Sequence, residues 1–375
     1  MVSLLFTVSV LAQRVTPERL LSNSVSVEGG RTDPAAVWTG QSFAVFWGDD
    51  AGLFAAAVGL DGQLHGPALR LAENELVGGV AFDGQELLLL TTAFPGRIVA
   101  RRLTKSFARI GDPTVLAEGD SCNVKWNGIE FIAWWITETN PSAIVVARIH
   151  DGAVAASRVI TSTPRPWPGR VSLGATATDL LLVWEDYYGC EPTVFFPCVS
   201  NVRLRATRLD PQLEILDPAG FEFSPEGYSP SIATNGRDFL VAWSDGLAMR
   251  AQRVHVSGAV LGDGAKVDPV VSGTIITASA AWDGNHFLVV AKDSAYPTSG
   301  IFGMALNASG DLLSTQAIPI HVQATFFEGP VTFPGPQSQF LVFYRRYNEQ
   351  QEFRTFMRVV EFGPAAPPRR RSAAH

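Results

Sequence analysis

Apolar residues at helical spacing are missing throughout this sequence, which removes helical bundles and alternating α/β folds from consideration. Charge is also scarce. Only 17% of the 375 residues are charged and the formal net charge is −7, so nothing electrostatic points to nucleic acid or an anionic membrane surface as a partner. Past residue 12 no run approaches the roughly 18 apolar residues that a membrane span requires. P-loop, dinucleotide, H-E-x-x-H and G-x-S-x-G motifs are all absent, and with them the phosphate, nucleotide, zinc-protease and serine-hydrolase chemistries they carry. His65, His150, His255, His286, His321 and His375 stand without metal-ligand spacing, so neither a metal nor another cofactor is expected.

Cysteine is sparse, with three in all. Cys190 and Cys198 bracket the loop C-E-P-T-V-F-F-P-C, and two thiols at that spacing in an oxidising compartment are expected to close a small disulfide ring. Cys122 has no nucleophile motif around it and reads as a buried free thiol at the start of a strand. Export fits the amino terminus: M-V-S-L-L-F-T-V-S-V-L-A is apolar and ends on small residues, a secretion signal over residues 1–12 that lacks the usual leading Lys or Arg. The expected protein is therefore secreted or periplasmic, and a monomer. At the other end, residues 364–375 are rich in Pro and then Arg and read as a disordered tail.

What the sequence does have is turns and short apolar runs, with 46% hydrophobic residues, 34 Gly and 24 Pro. The stretch I-A-T-N-G-R-D-F-L-V-A-W-S-D, residues 232–245, is the recurring unit. Two apolar runs joined by Asn-Gly predict a tight hairpin with a type I′ turn. Copies align at Val37-Trp38-Thr39-Gly40, Ala81-Phe82-Asp83-Gly84, Lys125-Trp126-Asn127-Gly128, Ala175-Thr176-Ala177-Thr178, Thr234-Asn235-Gly236, Trp282-Asp283-Gly284 and Phe333-Pro334-Gly335. That is seven copies about 49 residues apart, the period of a four-stranded propeller blade. The seventh copy runs out after its third strand, whereas Pro17 to Ser22 resembles the fourth strands Ala68 to Ala72 and Pro113 to Ala117. The expected fold is all-β: one seven-bladed β-propeller over residues 14–363, closed by an N-terminal strand that completes the last blade.

The repeat N-G-x-x-F-L-V-x-W-x-D resembles that of a broad group of secreted bacterial β-propeller proteins, largely without assigned activity. It departs from the WD-repeat and kelch patterns, and from the Asp boxes of sialidase-like propellers and the calcium loops of integrin-like ones.

Strand direction then sorts the loops. With the first strand of each blade innermost, hairpin turns and third-to-fourth turns share one face, and the loops after each Trp share the other with the inter-blade loops. That second face carries the long insertions, where binding residues usually sit. Tyr187, Tyr188, Phe195, Phe196, Trp167 and Tyr296 fall there, suited to a sugar ring or a protein partner, although Tyr188 and Phe195 also suit packing within their own loop. An acidic residue recurs just past the second strand, at Asp49, Asp186, Asp245 and Asp293; its repetition reads as turn capping. Trp47, Trp135, Trp184 and Trp243 read as packing between blades. The leading expectation is a binding or scaffold propeller that presents this face to a glycan or protein. The alternative is a glycoside hydrolase or lyase using carboxylates near the channel mouth, with Glu138, Glu185 and Asp186 as catalytic candidates.

Overall fold

Each repeat folds as expected from its period-two patterning, because one apolar row per sheet face must be buried against a neighbour. The computed structural model describes residues 12–22, 33–49, 51–137, 139, 142–163, 170–188, 202–218, 220–266, 275–293, 299–322, 327–350 and 352–363. Seven antiparallel sheets follow one another round a ring, and the described residues contain no helix. Blade 1, for example, comprises Ala35–Trp38, Phe43–Asp49, Gly52–Val58 and Leu69–Ala72 in that order from the inside. First strands of neighbouring blades touch all the way round, and the last of them, Phe327–Pro334, meets the first, Ala35–Trp38. The first strand is therefore innermost, as the sorting of the faces requires.

The core is seven wedges, one between each pair of blades. Trp47, Trp135, Trp184 and Trp243 are buried in these wedges, each against the preceding blade, so their packing role holds.

Closure is by the amino terminus, in two pieces. Ala12–Val15 pairs with Gly363 to Val360, and Arg19–Leu20 pairs with Met357 and Phe356, all on the outer edge of Phe353–Gly363. The ladder starts at Ala12, earlier than Pro17, and it breaks at Pro17, which has no N–H to donate. The break turns Glu18 inward. Its carboxylate meets Tyr344 Oη at 2.6 Å, His321 Nδ1 at 2.9 Å and Arg346 Nη2 at 2.5 Å.

Three local expectations need correction. The Asn-Gly turns are not type I′, since Gly236 has φ +85° while neither Asn235 nor Arg237 is left-handed. Asn235 instead caps the turn, its Oδ1 accepting the N–H groups of Arg237 and Asp238; Asp83, Asn127 and Asp283 do the same. The fourth copy is offset by one, because Thr176 bonds to Asp179 as Asn235 does to Asp238. Ala175 therefore stands where Trp38 stands, and Gly174 where Val37 stands. In the seventh copy the turn is one residue longer, with Gly335 N–H donating to the Gln339 carbonyl.

A set of inner-edge contacts ties the blades together. Ser172 Oγ accepts the Ile232 N–H, Ser231 Oγ that of Ala280 and Ser279 Oγ that of Thr332, at 3.0, 3.0 and 3.1 Å. An inner strand exposes one edge of its ladder, and these hydroxyls satisfy it. Ser231→Ala leaves the Ala280 donor unpaired and is expected to cost about 1–2 kcal/mol in urea unfolding.

Candidate functional site

On the long-loop face, the end of the second strand of blade 4, Leu180–Tyr187, carries most of the candidates within the described residues. Successive side chains on a strand point to opposite faces, so Glu185 and Asp186 diverge. Glu185 is 5% exposed. Its Oε2 accepts the Arg170 backbone N–H at 3.0 Å and the Tyr187 hydroxyl at 3.2 Å, and its Oε1 accepts the Ser229 N–H at 2.7 Å. Ser229 has φ +52° at an irregular start of the innermost strand of blade 5, where a register shift takes its N–H out of the ladder. The carboxylate thus bolts blade 4 to blade 5. Burial, and then the adjacent Glu185 charge, push the Tyr187 phenol well above its ordinary range.

Asp186 faces its cross-strand partner Arg203, whose Nε donates to Oδ2 at 2.8 Å. The same guanidinium lies 4.8 Å from the centre of the Tyr188 ring, and its Nη1 reaches Glu222 at 3.4 Å. Tyr188 is 38% exposed. Arg170, whose backbone N–H is held by Glu185, is exposed, and Tyr187 and Tyr228 are half-buried. This gives one rim of aromatic rings and arginines, with the carboxylates already engaged.

Glu138, Trp167, Cys190, Phe195, Phe196, Cys198 and Tyr296 lie outside the described residues. Of the recurrent acids, two cap turns, Asp49 Oδ1 accepting from Ala51 N–H and Asp245 Oδ1 from Leu247 and Ala248, but Asp186 instead pairs across its sheet with Arg203, so the capping expectation fails there. Cys122 is buried and free, and burial pushes its thiol up to about 12, so it is no nucleophile. Among the described residues no group of three or more His, Cys, Asp or Glu converges as a metal site.

Two features of this face escape sequence reasoning. Phe94 and Leu247, at the tips of the second-to-third loops of blades 2 and 5, are 84% and 81% exposed. Their loops are short, and length was the signal being read. Arg203 likewise sits inside a regular strand, and only cross-strand register places it beside Asp186.

No protein-family model and no curated protein matches the sequence. Solved structures do. An ulvan lyase of polysaccharide lyase family 25, bound to -[GlcA(1-4)Rha3S]-, is similar over 92% of this chain and 95% of its own, with TM-score 0.57 and 10% identity. The Cps50 (Swd1) β-propeller domain of Myceliophteria thermophila matches over 92% and 99%, with TM-score 0.54 and 13% identity. A prolyl endopeptidase matches over 96% of this chain, which spans about half (49%) of that one, with TM-score 0.52 and 13% identity. At such identities the likeness is one of fold, and the fold is a seven-bladed β-propeller.

Proposed function

We propose that this chain is a secreted binding propeller whose long-loop face takes a glycan, gripped at the rim of blade 4. The observation that carries this is the exposed Tyr188 ring with the Arg203 guanidinium beside it. An exposed aromatic ring suits the apolar face of a sugar, and an arginine suits its acidic substituents. Phe94 and Leu247 add apolar tips on the same face.

The hydrolase or lyase reading is the weaker one. A glycosidase needs two carboxylates about 5–9.5 Å apart flanking one bond, and Glu185 and Asp186 point to opposite sides of their sheet. Glu185 is also spent on two backbone donors.

A glycan array checks the reading, with sulfated uronans printed on it because a propeller of the same fold was solved with one. Tyr188→Ala and Arg203→Ala are each expected to weaken binding about tenfold, roughly 1.4 kcal/mol. Release of reducing ends or unsaturated products is not expected. Binding that survives both substitutions removes the blade 4 rim from the account; a protein captured with the same dependence on both residues changes the ligand class.

A further inference from the structure

We infer that the central channel binds a small oxyanion between blades 3 and 4, at Lys125. This residue lies on the innermost strand Asp120–Trp126. The inner strands of blades 2 and 4 flank that strand and Phe131–Ile136 lies behind it, so an exposed side chain here reaches water through the channel. Lys125 is exposed. It has no ion pair or hydrogen bond among the described residues. In the other six blades the same position holds Val37, Ala81, Gly174, Ala233, Ala281 and Phe333, small or apolar in every case.

Two further departures from the repeat fall at the same interface. Side chains at the Lys125 position turn toward the following blade, as Gly174 shows, where an added Cβ would meet Ile232 of blade 5. Those one residue later turn toward the preceding blade. There blades 1, 2, 3 and 6 place Trp38, Phe82, Trp126 and Trp282, whereas blades 4, 5 and 7 place Ala175, Thr234 and Pro334, so the lysine faces a position without a ring. Next, the N–H groups of Ile232, Ala280 and Thr332 each take a serine from the preceding blade. Their counterpart in blade 4 is Leu173, and the residue opposite it is Asn123. Asn123 Oδ1 turns back to the Val124 N–H of its own strand at 2.8 Å, so Leu173 is not given that acceptor.

The lone cation thus sits at the one interface where a position without a ring and a backbone donor without a serine acceptor coincide, since the interfaces of Thr234 and Pro334 keep Ser172 and Ser279. An oxyanion meets both donors. Desolvation within the channel, with no carboxylate to offset it, shifts the Lys125 ammonium below the ordinary lysine range, and a bound anion would shift it back up. The site lies toward the hairpin-turn end of the channel, away from the long-loop face, and does not rest on the glycan reading.

Calorimetric titration of the full chain with inorganic sulfate, inorganic pyrophosphate and glucuronate tests this and separates phosphate-like from carboxylate ligands. Saturable binding of at least one is expected, about tenfold weaker in Lys125→Met, within about threefold in Lys125→Arg and unchanged in Tyr188→Ala. Only four lysines occur in the chain, so limited acetylation mapped by mass spectrometry gives a second reading on the unaltered protein. The bound anion should protect Lys125 and leave Lys105 as reactive as before. No saturable binding in the wild type, undiminished binding in Lys125→Met, or equal labelling of Lys125 with and without anion would overturn the inference.

Discussion

Glu185→Ala is expected to destabilise the propeller by about 3–5 kcal/mol, measured as a lowered urea midpoint with an unchanged slope. The substitution strands the Arg170 and Ser229 N–H groups and the Tyr187 hydroxyl, all bonded to this carboxylate. An unsatisfied buried donor costs about 1–3 kcal/mol. Both backbone donors belong to segments that lead into inner strands, Val171–Ala175 and Tyr228–Thr234, so their release loosens the contact between blades 4 and 5. Glu185→Gln keeps one acceptor and sets an amide nitrogen against the other N–H; about half the loss is expected. A catalytic carboxylate behaves in the opposite way, since its removal abolishes turnover while leaving stability intact or improved. Wild-type stability in Glu185→Ala would return this residue to the list of chemical candidates.

The ring was legible because its evidence is periodic. Seven apolar runs behind turn residues, four of them ending in Trp, with a fourth strand absent at one end and present at the other, leave few arrangements that bury every sheet face. Turn chemistry was harder to read, because Asn-Gly satisfies two hairpin geometries, and the choice rests on whether the Asn side chain or its backbone does the bonding. Contacts between repeats were hidden for a different reason. Ser172, Ser231 and Ser279 look like ordinary strand residues until the blades are phased, and the phase of the degenerate fourth copy was one residue out. That offset also hid that Ala175, and not Thr176, is the residue standing where Trp38 does. Glu185 was singled out as a non-repeating carboxylate, but its partner Ser229 stands 44 residues away, a distance no local pattern reports.

The seam of the ring should fail in acid, and Glu18 should be the cause. This carboxylate sits 17% exposed between blades 6 and 7, bonded to His321, Tyr344 and Arg346, while Arg358 Nε donates to the Tyr344 hydroxyl at 3.1 Å. Burial by itself pushes the Glu18 carboxyl up, but the bonds from His321, Arg346 and Tyr344 outweigh it and hold the group well below the usual carboxylate range. A depressed folded value means the stabilisation is complete above the unfolded value, near 4.5, and is lost as pH falls below it toward the folded value. The loss approaches about 1.4 kcal/mol for each pH unit below that point. Glu18→Ala at neutral pH leaves a buried cluster of arginine, tyrosine and histidine without its anion, and about 3–5 kcal/mol is the expected cost. Glu18→Gln should be less stable than wild type at pH 7 and should converge with it on acidification, because only the wild type has a proton to take up at this position. Thermal midpoints of the two proteins between about pH 7 and pH 3 measure the convergence. Parallel profiles would mean that the seam is held by its strand ladder alone, from Ala12↔Gly363 to Leu20↔Phe356, and that the inward turn of Glu18 at Pro17 contributes nothing to closure.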